Sequence, residues 1–386
     1  MLLRIIQSME TLLPPTLRPR PRSRRRTRLF FEDEHEDDDE DDSQGSNEVT
    51  QVVYNPSDID FALPGKHHYQ LAFQMDSNWG SSLIPLTVIN GLNGPAENNV
   101  VAFGGTHGNE YEGQVSVKRL CHDLDPSSMA GRVILIPQLS QSACVANRRE
   151  SPLDGVNMNR AFPGNSRGTI SYRIANFVKT LIFPQVHAVI DIHSGGNEAI
   201  FPLCASFHPI PDPQQRTEIA QVARLFDTPF IMLYSSQLHS GLLTDEAEAM
   251  GKITIGGEFG YAESTHRRGT LHAYEGIKNV LRHYGLLQGD IVKIDPERPG
   301  TPRFVQAANL ADYIPCPRDG IWEPIVDLGI DVRPGDLLGR LHDFSDHASE
   351  PLDIRAHRSG VVAMLHFAAQ IKKGLTLYVI AQDVQL

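Results

Sequence analysis

Three observations predict an α/β fold with a mixed sheet flanked by helices, followed by a small all-β domain. Short apolar runs alternate with amphipathic stretches from about residue 98 to about residue 287. The helical periodicity stops near residue 300. The first fifty residues follow neither pattern.

That first segment carries "RPRPRSRRRTR" and then "EDEHEDDDEDD". Blocks of like charge repel one another and bury too little apolar surface to fold. Residues 1–50 are therefore expected to be a disordered charged tail. The opening "MLLRIIQSMETLLPP" is too short and too polar for a secretory signal.

The runs "NNVVAFGG" (98–105), "GRVILIPQ" (131–138), "HAVIDIHSGG" (187–196) and "KITIGGEFG" (252–260) read as buried strands. Each is a short apolar stretch bounded by glycine, proline or asparagine. Between and after them, "EYEGQVSVKRLCHDL" (110–124), "TISYRIANFVKTLIF" (169–183), "PQQRTEIAQVARLFD" (213–227) and "TLHAYEGIKNVLRHYGLL" (270–287) have helical spacing. Such alternation buries a sheet between helical layers, here over residues 51–300. Beyond that point, "RPGD", "HRSG" and "KKG" turns separate short apolar runs, which predicts an all-β domain over 301–386. Its G-x-x-V-x-x-G-D-x-L pattern resembles a barrel-sandwich hybrid of the lipoyl type. No hairpin-tip lysine stands in a carrier context, so a structural or assembly role is expected.

The chain has 386 residues, 40% hydrophobic and 21% charged, and a net charge of −12. The tail's 8 basic and 12 acidic residues leave −8 for the remainder. An acidic folded part argues against nucleic-acid binding, which needs a basic surface. No apolar run approaches the ~20 residues that span a bilayer. Cys121, Cys144, Cys204 and Cys316 are scattered, so neither a disulfide framework nor a thiolate zinc site is expected. A reducing compartment, the cytoplasm, fits best.

Chemistry concentrates at the strand ends. His107 and Glu110 follow a Gly-Gly-Thr turn, and their spacing predicts neighbours one helical turn apart. Imidazole nitrogen with carboxylate oxygen suits zinc. His193 ends another strand, with Asp191 expected on the same side as its outer partner. Two histidines and a glutamate leave one tetrahedral position open, as in catalytic zinc sites. "NRRESPLDGVNMNRAFPG" (147–164) gathers arginines and asparagines that match a substrate carboxylate. Glu258, at a fourth strand end, is the candidate proton carrier, with Glu246, Glu248 and Glu263 as competitors.

G-G-x-H-G-x-E (104–110), N-x-N-R-x-F-P-G (157–164), D-x-H-S-G-G (191–196) and G-E-x-G (257–260) occur in this order. Together they resemble the succinylglutamate desuccinylase/aspartoacylase family, related to the zinc carboxypeptidases, over roughly residues 51–386. The resemblance implies a zinc-carboxypeptidase-like sheet and one Zn²⁺ per subunit, held by His107, Glu110 and His193. It implies Arg149, or the adjacent Arg148, polarising the scissile carbonyl. It implies Asn159 and Arg160 gripping an α-carboxylate, and Glu258 as general acid/base. "MDSNWGSSLIPLTVINGLNGP" and "DGIWEPIVDLGIDVRPGD" are similar to the family's diaminobutyrate-deacetylating branch, in ectoine degradation. An N-acyl amino acid amidohydrolase is thus implied, acting on N2-acetyl-L-2,4-diaminobutyrate, with homo-oligomerisation left open. Phe259-Gly260-Tyr261 departs from the branch's more glycine-rich run. Rival readings are a deacylase of succinylglutamate or acetylaspartate type, a zinc carboxypeptidase, or a non-enzymatic scaffold that binds no metal.

Overall fold

The structure, a computed structural model, describes residues 50–235 and 240–385. The expected disordered tail, Thr50 aside, lies outside the described residues. The strands are β1 (Gln51–Val53), β2 (Gly65–Gln74), β3 (Ser81–Asn90), β4 (Val100–Phe103), β5 (Arg132–Ile136), β6 (Ala188–Asp191), β7 (Ala199–Ile200), β8 (Cys204–Phe207), β9 (Phe230–Tyr234) and β10 (Ile253–Glu258). They continue with β11 (Arg303–Ala307), β12 (Tyr313–Pro315), β13 (Gly320–Pro324), β14 (Asp331–Val332), β15 (Leu337–His342), β16 (Leu352–Arg355), β17 (Gly360–His366), β18 (Gln370–Ile371) and β19 (Thr376–Asp383). The α-helices are α1 (Tyr111–Asp123), α2 (Gln141–Ala146), α3 (Ile170–Phe177), α4 (Pro213–Arg224), α5 (Leu243–Ala249) and α6 (Arg267–His283).

The main sheet runs β1-β2-β3-β5-β4-β6-β10-β8-β9-β11-β19-β17-β14. At its centre β5, β4, β6 and β10 are mutually parallel, so their C-terminal ends share one edge. β8 then runs antiparallel to β10, pairing Cys204 with Glu258. Loops at the C-terminal ends of parallel strands are where open α/β sheets place their sites.

Side-chain alternation along the strands builds a core on each face. Val100 and Ala102 of β4 turn to one face and meet Val117 and Leu120 of α1. Val101 and Phe103 turn to the other and meet Ile174 and Phe177 of α3. With both faces covered, the central strands are continuous apolar runs, which is why they were readable without alternation.

All four strands and all four helices read from the sequence are present. The hairpin of β2 and β3, paired over its full length from Gly65↔Asn90 to Gln74↔Ser81, adds to the sheet beside β5.

Among the described residues from 300 on, the regular elements are strands and one short 3₁₀ turn. β11, β12, β14, β17 and β19 continue the main sheet, while β16-β15-β13-β18 form a separate four-stranded sheet. The two enclose a core of Trp322, Leu338, Leu341, Leu377 and Tyr378. The buried Tyr378 hydroxyl lies 2.9 Å from both the Val326 and Leu338 carbonyls.

Two glycines bring α1 down onto the parallel strands. A Cβ on Gly104 would stand 2.4 Å from the Gly113 carbonyl carbon, and one on Gly113 would stand 2.6 Å from the Ile192 oxygen. Both neighbours are backbone and cannot swing away. Gly104→Ala is expected to cost roughly 1–3 kcal/mol or more, as overpacking does. Urea unfolding checks this, and an unchanged midpoint would contradict so close an approach.

Candidate active site

The loop between β4 and α1 carries the first pair of candidate residues. Their spacing predicted neighbours on one helical turn; instead His107 and Glu110 both precede the helix. Glu110 is extended (φ −115°, ψ 112°) and caps α1 from outside. The turn is set by glycine: Gly105 has φ +66°, and a Cβ on Gly108 would meet Ala143 backbone at 2.0 Å. This compact turn, rather than helical rise, brings the two side chains together.

His107 Nδ1 lies 2.7 Å from Glu110 Oε1, and His193 Nδ1 lies 2.9 Å from Glu110 Oε2. The ligand-type atoms of His107, Glu110 and His193 all lie within 4.8 Å of one another. His193 sits just beyond β6, held by its N–H to the Gly257 carbonyl and by the Phe259 N–H to its own carbonyl.

The outer nitrogens decide the tautomers. Asn157 Oδ1 accepts the Asn159 backbone N–H at 2.9 Å, which fixes it as oxygen. His107 Nε2, 3.1 Å from that oxygen, must carry the proton. His193 Nε2 lies 2.8 Å from Asp191 Oδ2, and Asp191 Oδ1 accepts the Thr106 hydroxyl. In the neutral form of either ring, Nδ1 then turns a lone pair towards Glu110. Each oxygen of Glu110 takes one N–H: Arg149 Nη1 to Oε1 and Ser194 N to Oε2, both at 3.0 Å.

Three acceptors facing a common point need positive charge among them. The titration behaviour expresses that need. Burial holds His107 below the ordinary imidazole range. Burial opposes the charged form of His193 too, but the Asp191 and Glu110 carboxylates reverse this and put it well above that range. Glu110 is likewise buried, yet His107 and His193 hold it well below the usual carboxylate range.

A cavity of about 280 Å³ opens on this cluster. Its lining includes His107, Glu110, His193, Arg149, Asn159, Arg160 and Glu258, so the structure brings all seven sequence-predicted residues to one place. Arg149 reaches the cavity, whereas Arg148 is exposed. Asn159 Oδ1 is taken by the Leu243 N–H, which leaves its amide NH₂ as the free donor. Arg160 donates to the Asn159 carbonyl.

Glu258 ends β10 with Oε1 3.5 Å from the Tyr234 hydroxyl and with Oε2 buried and without a partner. Burial, then the charge of Glu110, pushes its carboxyl up to about 8. The competitors are engaged elsewhere: Glu246 with Lys179, Glu248 with His208, and Glu263 with Asn109. Nothing in the sequence singles out Tyr234; Asn157 and Ser194 stand within the N-x-N-R-x-F-P-G and D-x-H-S-G-G motifs but were given no role of their own. Tyr313, Met364 and Val379 of the C-terminal strands also line the cavity.

Residues 96–284 match the model of the succinylglutamate desuccinylase/aspartoacylase catalytic domain. N-alpha-acetyl-L-2,4-diaminobutyric acid deacetylase of Halomonas elongata is 32% identical over 332 residues, 85% of this chain and 94% of that protein. A succinylglutamate desuccinylase/aspartoacylase from Rhodobacter sphaeroides superposes with TM-score 0.80 at 29% identity, over 85% of this chain and 98% of the other. The product-bound ectoine utilization protein EutE of Ruegeria pomeroyi does so with TM-score 0.77 at 30% identity, over 84% and 98%.

The position of Glu258 has a consequence for stability. A carboxyl raised from 4.5 to about 8 stays neutral when folded but ionises when unfolded. Its contribution is whole below about pH 4.5 and is lost as pH rises through 8, on the order of 5 kcal/mol in all. In chelator-treated protein, Glu258→Gln should therefore out-stabilise the wild type by a margin that widens from pH 5 to pH 8. Thermal melts across that range check it, and a margin flat with pH would contradict the assignment.

Proposed function

Since the chain belongs to the succinylglutamate desuccinylase/aspartoacylase family, whose members are hydrolases of N-acyl amino acids, we propose that it is a zinc-dependent deacetylase of N2-acetyl-L-2,4-diaminobutyrate. The products are acetate and L-2,4-diaminobutyrate. The observation that carries this reading is the convergence of His107 Nδ1, His193 Nδ1 and the Glu110 carboxylate within one small cavity. The names of the Halomonas and Ruegeria relatives support the choice of substrate.

The donor set fits zinc. Two imidazole nitrogens and one carboxylate form a three-ligand catalytic set. The other ring nitrogens are anchored on Asn157 and Asp191, the outer partners that ligating histidines require. Zinc held there supplies Lewis acidity towards a water and towards the amide carbonyl.

The remaining chemistry belongs to this chain's own side chains. Asn159, through its amide NH₂, and Arg160, through its guanidinium, grip the substrate's α-carboxylate and so orient the amide. Glu258 takes a proton from the attacking water. A carboxyl near 8 before metal is bound is lowered by nearby positive charge, which tunes it towards neutrality for that task. Arg149 donates to the carbonyl oxygen as negative charge develops on it. Glu258 then passes the proton to the departing amine nitrogen.

Tyr313, Met364 and Val379 wall the cavity from the C-terminal strands, which supports a small acyl amino acid over the end of a peptide. We read residues 51–300 as the catalytic domain, zinc-carboxypeptidase-like in its sheet, and 301–386 as the β domain that narrows it. No helix among the described residues is long and apolar enough to cross a membrane. All four cysteines are buried and free, in keeping with a cytoplasmic enzyme.

Assay of free amino acid release from N2-acetyl-L-2,4-diaminobutyrate, N-acetyl-L-aspartate and N-succinyl-L-glutamate, with acetate or succinate as the other product, tests the proposal. The first should turn over fastest, and chelator should abolish the activity. Arg149→Ala should lower kcat by about 10²–10³-fold, with Arg148→Ala near wild type. Full activity in chelator, or a larger loss from Arg148→Ala, would refute these assignments.

A further inference from the structure

The cavity lining follows β10 back from Glu258 through Gly256 to Thr254, and also includes His208, which shares Glu248 with Thr254, and Thr244. Behind them lie Asp245 and Glu248 of α5. His208 Nδ1 is 3.0–3.1 Å from both oxygens of Glu248 and 3.4 Å from Asp245 Oδ1. We infer that this part of the lining reads the substrate's side chain, and that Asp245 and Glu248 make it selective for a short side chain bearing an ammonium group. The inference rests on the deacylase reading and names what distinguishes its substrate.

Four observations carry it. The His208 side chain is 8% exposed, and its Nδ1–H is committed to the acids, which leaves the Nε2 edge for the cavity. Thr254 donates its hydroxyl proton to Glu248, so its oxygen remains an acceptor. The cluster holds two carboxylates against one imidazole, and among the described ion pairs no lysine or arginine reaches Asp245 or Glu248. Asp245 Oδ1 is buried without a hydrogen-bond partner.

An anion left uncompensated in a low-dielectric site is costly, and a ligand cation placed near it recovers part of that cost. The arginines lining the cavity, Arg149 and Arg160, have other work: Arg149 bonds Glu110, and Arg160 neighbours Asn159. Arg160 nevertheless lies near enough to act on Asp245, whose carboxyl burial raises. A carboxylate grip and an ammonium subsite thus lie side by side. That suits an amino acid whose amine is a few bonds from its α-carboxylate. Thr254 Oγ1 and, in the neutral ring, His208 Nε2 offer the direct contacts. Burial opposes the charged form of His208 while Glu248 and Asp245 favour it, so an arriving ammonium takes over the charge that the ring proton would otherwise supply. Asp245 and Glu248 thus act as positioning and charge-setting residues. The rival role is purely structural, a clip between α5 and the sheet.

Charge and clip are separated by isosteric variants. The zinc-loaded enzyme is assayed on N2-acetyl-L-2,4-diaminobutyrate and on N-acetyl-L-2-aminobutyrate, the same skeleton without the amine. The wild type should favour the amine, and Glu248→Gln with Asp245→Asn should cut that kcat/KM ratio by about tenfold or more. Activity on the neutral compound should stay within about threefold. Calorimetric titration with L-2,4-diaminobutyrate and L-2-aminobutyrate gives a second readout that needs no turnover. An unchanged ratio with hydrolysis intact would overturn this inference and leave the deacylase standing. Hydrolysis of neither compound would remove the deacylase reading, and the titration alone would then decide the subsite. A second zinc per wild-type chain, lost in Glu248→Gln, would overturn the ammonium subsite in favour of a metal.

Discussion

One buried carboxylate, faced by two imidazoles, is the constraint on which the rest of the site depends. Glu110 receives one N–H on each oxygen, from Arg149 and Ser194, and one imidazole Nδ1 on each oxygen as well. Asn157 and Asp191 hold the far side of each ring. A buried set of acceptors like this is stable only with positive charge among them. Protonating His193 answers part of that need, and a divalent cation answers all of it. The anchored outer nitrogens matter because they aim both Nδ1 atoms at one point; His193 gives up its Nδ1 proton when a cation takes that place.

The sheet exists, in functional terms, to deliver these groups to one edge. β4 supplies His107 and Glu110 through its following turn, β6 supplies Asp191 and His193, and β10 supplies Glu258. Because β4, β6 and β10 are parallel neighbours, three separate segments end within reach of one another. Gly104 and Gly113 let α1 lie directly on the strand ends. The reversal at β8 opens the space beyond, and the C-terminal strands close its far wall. The strands after residue 300, for which a structural or assembly role was expected, thus contribute Tyr313, Met364 and Val379 to the cavity lining.

The central strands and long helices were legible because burial on both faces and 3.6-residue spacing leave strong local patterns. The candidate site was legible for a related reason: His107, Glu110 and Glu258 follow apolar runs that end in glycines, and His193 ends an apolar run that Ser-Gly-Gly follows. What failed was local geometry. His-x-x-Glu has helical spacing, yet the glycines around it fold a turn, and spacing alone cannot tell the two apart. α2 and α5 span too few residues for a periodic signal. The β2–β3 hairpin was not picked out as a pair of strands. Its form depends on a pairing of ten residues with ten, which no single segment reveals. His208 lies 40 residues before Glu248, and it meets Glu248 and Asp245 of α5 only in the folded chain, so no motif announces the cluster.

The most direct test is zinc analysis of the purified protein with X-ray absorption at the metal edge. The account predicts one zinc per chain, ligated by two imidazole nitrogens and carboxylate oxygen without sulfur. In His193→Ala it predicts loss of one imidazole from that shell or loss of the metal. Wild-type protein that cannot be loaded with zinc, or zinc whose shell is unchanged in His193→Ala, would contradict it.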